Sequence, residues 1–175
     1  MEDKLEPLLY REEIASAVQR LASDLDKDYI GRPLVMVGIL KGAFIFLADL
    51  VRQMEVPISA IEFMRLSSYE HGTTTSGIAR VVVGVPKKAV RGKDVILVED
   101  IVDTGITTAA AFRYLHRWKP ASIKLCALLS KPSRRRVPVA IDYLGLTVPD
   151  VFVAGYGTDK DQLYRQLPDI YNVGA

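Results

Sequence analysis

Cysteine is nearly absent from this sequence, since Cys126 is the only one among 175 residues. A single thiol excludes a disulfide framework within one chain and a zinc site built from several cysteines. Histidine is also scarce, and we expect His71 and His116 to be surface residues rather than catalysts. The lone cysteine favours a reducing, cytoplasmic setting.

An excess of charge of one sign is lacking as well, because 23 Lys and Arg stand against 21 Asp and Glu, a net charge of +2. This balance argues against nucleic-acid binding, which usually requires a strongly basic face. One basic cluster occurs, formed by Lys131, Arg134, Arg135 and Arg136. It is typical of a solvated turn between strands, and the alternative is a site that attracts an anionic ligand.

Long hydrophobic runs are missing too. The longest stretch without a charged residue has nine residues, about half of the ~18 that a membrane-spanning helix needs. No apolar segment follows a basic start, so we expect no secretory signal. Hydrophobic residues make up 49% and charged residues 25% of the chain, which is ordinary globular usage. We therefore expect one domain over residues 1–175.

Short apolar runs alternate with amphipathic segments along the chain. The patterns predict helices over 11–25, 43–54 and 107–118, with a helical turn at 161–166. They predict strands over 34–40, 58–66, 78–85, 95–98, 123–129, 141–148 and 151–154, with a surface loop at 67–77. This order indicates an α/β fold with a mostly parallel sheet flanked by helices. Ligands bind such sheets beyond the carboxyl ends of the strands.

The most informative segment follows the predicted strand over 95–98. The strand leads directly into Glu99 and Asp100, then Asp103, then the turn Thr104-Gly105-Ile106-Thr107-Thr108 that opens a helix. Backbone amides, hydroxyls and the helix dipole make this turn a cradle for a phosphate monoester, which Gly105 allows to approach closely. Neither the P-loop spacing nor the dinucleotide fingerprint is present.

Acids beside a phosphate cradle require an explanation, because they repel the ligand. Carboxylates accept hydrogen bonds from vicinal hydroxyls, so Glu99 and Asp100 suit a ribose attached to that phosphate. The alternative is that the segment merely caps a helix, since Asp and Thr are good capping residues. Capping explains one acid but not three, and we therefore predict a ribose-5-phosphate site.

Residues 98–108 resemble the phosphoribosyl-pyrophosphate (PRPP) motif of type I phosphoribosyltransferases, and the acid pair followed by Asp103 resembles the hypoxanthine-guanine group within them. The resemblance extends in order through Leu40-Lys41-Gly42, Ser67-Ser68-Tyr69, Lys131-Pro132-Ser133 and residues 151–157, with Asp159 and Arg165. It implies the type I fold in its compact bacterial form. That fold has a core of about residues 10–130 and a small hood formed by the N-terminus and residues 131–175.

For the pyrophosphate of PRPP, the resemblance implies contacts from five residues, Lys41, Gly42, Ser68, Tyr69 and Arg165. In the family the peptide before this lysine is often cis. The loop over 67–77 would be a flap that closes and excludes water from an activated ribosyl cation. From the residues alone, Lys-Gly is an ordinary turn and the loop an ordinary hairpin tip.

For the purine, the resemblance assigns a role to each of four residues. Lys131 would donate to the 6-oxo group, Phe152 would stack on the base, and the backbone of Val153 would read the ring edge. Asp159 would lie near C2 of the purine. From the residues alone, Phe152 would be core packing, and Asp159 with Arg165 a solvated pair.

The resemblance thus implies an enzyme that transfers phosphoribosyl from PRPP to hypoxanthine or guanine, with Asp103 as general base and Lys131 as its catalytic partner. Mg²⁺ would be held by Glu99, Asp100 and Asp159. We expect small-molecule substrates, no nucleic-acid or membrane partner, and a homo-oligomer, either dimer or tetramer. Ile106 departs from relatives that carry lysine there, which removes a side-chain contact and leaves the amides. Two alternatives stay open, a PRPP-sensing nucleic-acid-binding regulator and a xanthine-preferring enzyme.

Overall fold

The computed structural model describes residues 4–68 and 79–174. Within these ranges the helices are α1 (Arg11–Asp28), α2 (Phe44–Gln53), α3 (Lys87–Val90) and α4 (Ile106–His116). The strands are β1 (Lys4–Leu9), β2 (Leu34–Leu40), β3 (Ile58–Ser68), β4 (Ala79–Val83), β5 (Asp94–Val102), β6 (Ser122–Ser130), β7 (Tyr143–Thr147), β8 (Val153–Ala154) and β9 (Ile170–Gly174). None of these helices is both long and apolar enough to cross a bilayer.

The main sheet has six strands in the order β4-β3-β2-β5-β6-β7. All neighbouring pairs are parallel except β3 and β4, which are antiparallel. The predicted mostly parallel α/β sheet is therefore confirmed. The hairpin-like pairing of the second and third predicted strands is confirmed too, with Ser68 opposite Ala79. The surface loop predicted over 67–77 starts too early, since β3 extends to Ser68, and residues 69–78 lie outside the described residues.

The central strands are buried on both faces, which explains why they read as continuous apolar runs. Side chains alternate along each strand. Met36, Ile96 and Val98 pack with α1 and α2 on one face, whereas Val37 and Leu97 pack with α3 and α4 on the other. Helix α1 contributes a stripe at helical spacing, comprising Ile14, Ala17, Val18, Leu21, Ala22 and Leu25.

A second, three-stranded antiparallel sheet has the order β1-β9-β8. It joins the two ends of the chain, with Lys4 opposite Gly174 and Val153 opposite Asn172. This small sheet is formed by the terminal segments to which the family resemblance assigns a hood, whereas β7, also within residues 131–175, belongs to the main sheet. The apolar pattern alone predicts neither β1 nor β9, and of the predicted strand over 151–154 only β8 forms.

The predicted helical turn over 161–166 is wrong. Asp161, Gln162 and Tyr164 have positive φ values of 53°, 71° and 74°, which no right-handed helix contains. The amide of Gln162 donates instead to Oδ2 of Asp159 at 2.8 Å. A side-chain carboxylate that accepts from a following amide favours a turn over a helix.

Candidate active site

Three neighbouring strands of the main sheet end beside one another. Their order β2-β5-β6 places Lys41 after the first, Glu99 to Asp103 at the end of the second, and Lys131 after the third. The carboxyl ends of parallel strands meet at one edge of a sheet, where α/β proteins bind ligands. The sequence-predicted residues are therefore gathered at this edge by topology.

Two glycines let three backbone segments approach closely at this edge. The Leu40-Lys41 peptide is cis, and a Cβ at Gly42 would overlap the carboxylate of Asp100. Gly157 has a φ of 99°, and a Cβ there would overlap the carbonyl oxygen of Gly42. The turn after β2, the end of β5 and the loop after β8 are thus in direct contact, as only residues without a side chain permit.

The basic residues predicted to bind pyrophosphate also come together. Lys41 Nζ donates to Oε1 of Gln162 at 2.9 Å. Arg165 donates through Nη1 to the carbonyl of Gly157 at 2.7 Å, and its Nη2 lies 2.6 Å from Oδ1 of Asp159. Arg165 Nη2 also donates to Gln162 Oε1 at 3.4 Å, so Gln162 links the two basic side chains. The sequence analysis missed Gln162, and no motif pointed to it.

Two further residues predicted to contact pyrophosphate lie at the edge of what the structure describes. Ser68 is the last residue of β3, and its backbone pairs with Ala79. Tyr69 falls outside the described residues. Their contacts with pyrophosphate stay predictions.

The predicted phosphate cradle begins at a left-handed residue. Gly105 is the N-cap of α4 with a φ of 82°, and a Cβ there would overlap the carbonyl oxygen of Val137. The cap residue is thus a glycine, so the alternative in which an Asp or Thr side chain of this segment caps the helix is wrong. The first intrahelical bond runs from Ala109 N to Gly105 O at 2.9 Å, which leaves the amides of residues 107 and 108 available for an anion, while the amide of Ile106 makes only a long contact with Thr104.

The hydroxyl of Thr108 does not line the phosphate cradle as predicted. Thr108 is buried, and its hydroxyl donates to Oε2 of Glu99 at 3.4 Å. Its backbone amide remains in the cradle, while its hydroxyl fixes the nearest acid. Thr104 stays in the turn, where its Oγ1 accepts a long hydrogen bond of 3.4 Å from Ile106 N.

Glu99 is buried beside the half-buried Asp100, and burial disfavours the charged form of both acids. Burial, and secondly the neighbouring Asp100, raise the pKa of Glu99 well above its ordinary value. Burial likewise raises the pKa of Asp100, and the hydrogen bond from the amide of Ile101 is the largest effect that offsets this rise. Hydroxyl donors of a ligand, or a cation bound with it, would stabilise the charged form of these carboxylates.

The donor set fits a magnesium ion only in part. Among the residues that the structure describes, no three His, Cys, Asp or Glu side chains gather as a metal site. Asp159 is ion-paired with Arg165, whereas within residues 4–68 and 79–174 no cationic side chain forms a salt bridge with Glu99 or Asp100. Mg²⁺ commonly binds through one or two carboxylates together with substrate phosphates and waters. The adjacent acid pair therefore suits a magnesium ion that substrate oxygens also hold.

A cavity of about 300 Å³ lies beside Asp103, at the end of β5. It is lined by the acid Asp103 and by all four residues predicted to bind the purine, Lys131, Phe152, Val153 and Asp159. Phe152 is 53% exposed, so its alternative role in core packing is wrong. Lys131 is only 5% exposed, and burial lowers the pKa of its ammonium group.

The basic cluster separates into different environments. Arg134 Nε lies 2.8 Å from Oδ1 of Asp103, and its Nη1 lies 3.3 Å from Oδ1 of Asp150. Arg135 donates instead to the carbonyl of Val102 and the hydroxyl of Ser130. The expected solvated turn therefore describes only part of the cluster. Arg134 and Asp150 both line the cavity, and the sequence analysis assigned neither of them to the site.

Comparison with known proteins agrees with this geometry. Residues 6–161 match the phosphoribosyl transferase domain family. The chain is 43% identical over 171 residues to hypoxanthine-guanine phosphoribosyltransferase of Aquifex aeolicus, covering 97% of this chain and 95% of that protein. It is 38% identical over 175 residues to hypoxanthine phosphoribosyltransferase of Salmonella typhimurium, covering 99% and 97%.

A solved structure extends the comparison to the fold. The hypoxanthine-guanine phosphoribosyltransferase of Bacillus anthracis superposes with a TM-score of 0.90 at 37% identity, covering 99% of this chain and all of that one. With the acid pair, the cradle and the lysine-lined cavity in place, the chain belongs to the type I phosphoribosyltransferases, within their hypoxanthine-guanine group, and is an enzyme of purine salvage.

Proposed function

We propose that this enzyme transfers the phosphoribosyl group of PRPP to hypoxanthine or guanine in the presence of Mg²⁺, releasing pyrophosphate and IMP or GMP. The relatives named above support a 6-oxopurine as the acceptor. The observation that carries the proposal is the burial of Lys131 beside the exposed ring of Phe152 in one cavity.

A buried ammonium group requires hydrogen-bond acceptors. Lys131 lines the cavity, where Asp103 and Asp150 lie near enough to raise the pKa of its ammonium group against the effect of burial. The oxo group of a purine stacked on Phe152 would supply an acceptor for this ammonium group. Adenine carries an amino group at that position. Because this group and the Lys131 ammonium group are both hydrogen-bond donors, they cannot pair.

Asp103 is the group best placed to move a proton. In the proposed reaction the purine N9 forms a bond to C1 of the ribose while the bond from C1 to the pyrophosphate oxygen breaks. Asp103 takes the proton from N7, and Lys131 stabilises the negative charge that develops on the oxo group. Glu99 and Asp100 receive the ribose hydroxyls and favour the positive charge at C1.

Lys41 and Arg165 would bind the departing pyrophosphate through their positive charges. Their shared contact with Gln162 keeps both charges near the Gly42 turn. Magnesium, held by Glu99 and Asp100 with a contribution from Asp159, would neutralise pyrophosphate charge that the protein cations leave uncompensated.

Initial rates with hypoxanthine, guanine and xanthine, each with PRPP and Mg²⁺, test the proposal. We expect nucleotide formation with hypoxanthine, guanine or both, and much slower formation with xanthine. Asp103→Ala should lower kcat by about 10²–10⁴-fold, the usual contribution of a general base. No product with any of the three bases would overturn the assignment. A loss under a few-fold in Asp103→Ala, with PRPP binding intact, would remove Asp103 from the role of base.

We further propose that the enzyme is a cytoplasmic homo-oligomer, either a dimer or a tetramer. Large apolar side chains are exposed along the β3–β4 edge of the main sheet and the start of α2, namely Phe44, Ile61, Phe63 and Val83. Exposed apolar patches of this kind are typical of association surfaces. Light scattering on the purified protein measures the state directly, and a monomer at micromolar concentration would contradict it.

A further inference from the structure

Arg134 joins two acids that belong to different parts of the chain. Its Nε lies 2.8 Å from Asp103 Oδ1, at the end of β5, and its Nη1 lies 3.3 Å from Asp150 Oδ1, just before Phe152. All four residues line the same cavity. One guanidinium group therefore connects the expected base to the segment that carries the stacking ring.

The contact at Asp103 differs from an ordinary surface ion pair. Oδ1 of Asp103 is buried and accepts no well-aligned hydrogen bond from the residues that the structure describes, so charge attraction holds it in place. The side chains of Arg134 and Asp103 are 45% and 35% exposed. A half-exposed ion pair contributes little to the free energy of unfolding. Its main effect is therefore to orient the Asp103 carboxylate.

We propose that Arg134, itself held by Asp150, is a positioning residue that fixes the Asp103 carboxylate by one oxygen and directs the other oxygen toward the purine. This inference rests on the proposed function, in which Asp103 accepts the N7 proton. It follows the arrangement in which a catalytic base is oriented by a third group. Small errors in the position of such a base are expensive, since a displacement of about 1 Å can lower a rate ~10²-fold.

The neighbouring arginines do not share this arrangement. Arg135 is turned toward the Val102 carbonyl and the Ser130 hydroxyl, where it supports the loop. Arg136 is exposed. Arg134 is also poorly suited to bind a substrate phosphate, because two carboxylates already compensate its charge. The three residues thus offer a matched set in which only one touches the expected base.

Four variants test the inference, Arg134→Gln, Arg134→Lys, Asp150→Asn and the control Arg136→Gln. We expect Arg134→Gln to lower kcat for hypoxanthine by about 10- to 100-fold, with the KM for PRPP changed less than twofold. Lysine keeps the charge without the planar fork, so Arg134→Lys should recover part of the loss. Asp150→Asn should lower kcat by a smaller factor, and Arg136→Gln should leave it unchanged.

A double-variant cycle with Asp103→Asn separates positioning from a structural effect. In the Asp103→Asn background, Arg134→Gln should lower kcat by less than twofold further, because there is no base left to orient. An equal loss of kcat on Arg134→Gln in the parent and in Asp103→Asn would overturn the inference while leaving Asp103 as base. An unchanged kcat in Arg134→Gln, or in Asp150→Asn, would overturn it as well. If Asp103→Asn itself is active within a few-fold, the proposed function of Asp103 fails instead. Circular dichroism and thermal melts confirm that each variant folds.

Discussion

The hydroxyl of Tyr156 donates a hydrogen bond of 2.7 Å to Oδ2 of Asp49. Asp49 lies in α2, the helix that follows the Lys41-Gly42 turn, and Tyr156 directly precedes Gly157. The bond therefore fastens the C-terminal loop to the helix at a second point, beyond the contact between Gly42 and Gly157. Both halves of the expected pyrophosphate site depend on these two attachments.

Removal of this hydroxyl should weaken both the fold and the site. Tyr156 is only 8% exposed, and a hydrogen bond to a charged group contributes about 1.5–3 kcal/mol. We expect Tyr156→Phe to lower the free energy of unfolding by about that amount and to raise the KM for PRPP a few-fold. Urea denaturation and steady-state kinetics measure the two effects. Tyr10→Phe removes an exposed hydroxyl and should change neither, whereas a Tyr156→Phe protein of unchanged stability would contradict the prediction.

Glu99 should make stability depend on pH in a defined direction. Burial raises its pKa in the folded chain above the unfolded value, so the folded state binds this proton more tightly. Its contribution favours folding in acid and is lost as pH rises through the folded pKa. In EDTA, Glu99→Gln should therefore be more stable than the parent at pH 8, and the difference should vanish below about pH 4.

The measurement for Glu99 is a series of urea titrations at several pH values. Glu55→Gln, at an exposed position, is the matched control and should show no such dependence. A Glu99→Gln variant that is less stable than the parent at pH 8 would show that the carboxylate is compensated in the folded chain. Its activity should nevertheless fall, because the amide cannot replace a carboxylate at the ribose.

Gly105→Ala should disrupt the phosphate cradle for two separable reasons. The φ of 82° is unfavourable for alanine, and the new Cβ would overlap the Val137 carbonyl oxygen. Gly92 has a similar φ of 69° with nothing within 4 Å of an added Cβ, so Gly92→Ala isolates the conformational part. We expect Gly92→Ala to lose about 1 kcal/mol of stability, and Gly105→Ala to lose more and to raise the KM for PRPP at least tenfold. Equal effects on stability would show that the loop moves freely.

Phe152→Ala should weaken binding of the base without weakening the fold. The ring is 53% exposed, and base–aromatic stacking contributes about 1–3 kcal/mol, which corresponds to roughly 5- to 150-fold in affinity. We expect the KM for hypoxanthine to rise within this range, while the KM for PRPP and the melting temperature stay unchanged. Leu163→Ala, at an equally exposed position, is the control. An unchanged KM for hypoxanthine would remove Phe152 from the purine site.

The main sheet and most of the candidate site could be predicted from the sequence because their signals are local. β2, β5 and β6 are continuous apolar runs, α1 has a helical stripe, and the acids and the glycine turn are contiguous in the chain. β1 and β9 lack such a signal, since Pro7 interrupts the first and each pairs with a distant segment. Their pairing depends on long-range contacts that no short window of sequence contains.

The residues that the sequence analysis missed share one property, namely that their partners are remote in the chain. Arg134 is separated from Asp103 by α4 and β6, and from Asp150 by β7. Gln162 meets Lys41 only because Gly157 packs on Gly42. The three arginines of the basic cluster are indistinguishable in sequence. Only the folded chain shows that the first contacts acids while the second contacts the loop backbone. Residue type predicted the chemistry of the site, and topology decided which side chains take part.

The cavity and the cradle are supplied by separate stretches of chain. Most residues that line the cavity follow β6, whereas the cradle comprises residues 104–108 at the start of α4. Asp103 lines the cavity and directly precedes the cradle in the chain. Substitutions at Lys131 and over residues 150–153 can therefore alter acceptor preference while Gly105 and Gly157, which support the anion contacts, stay in place.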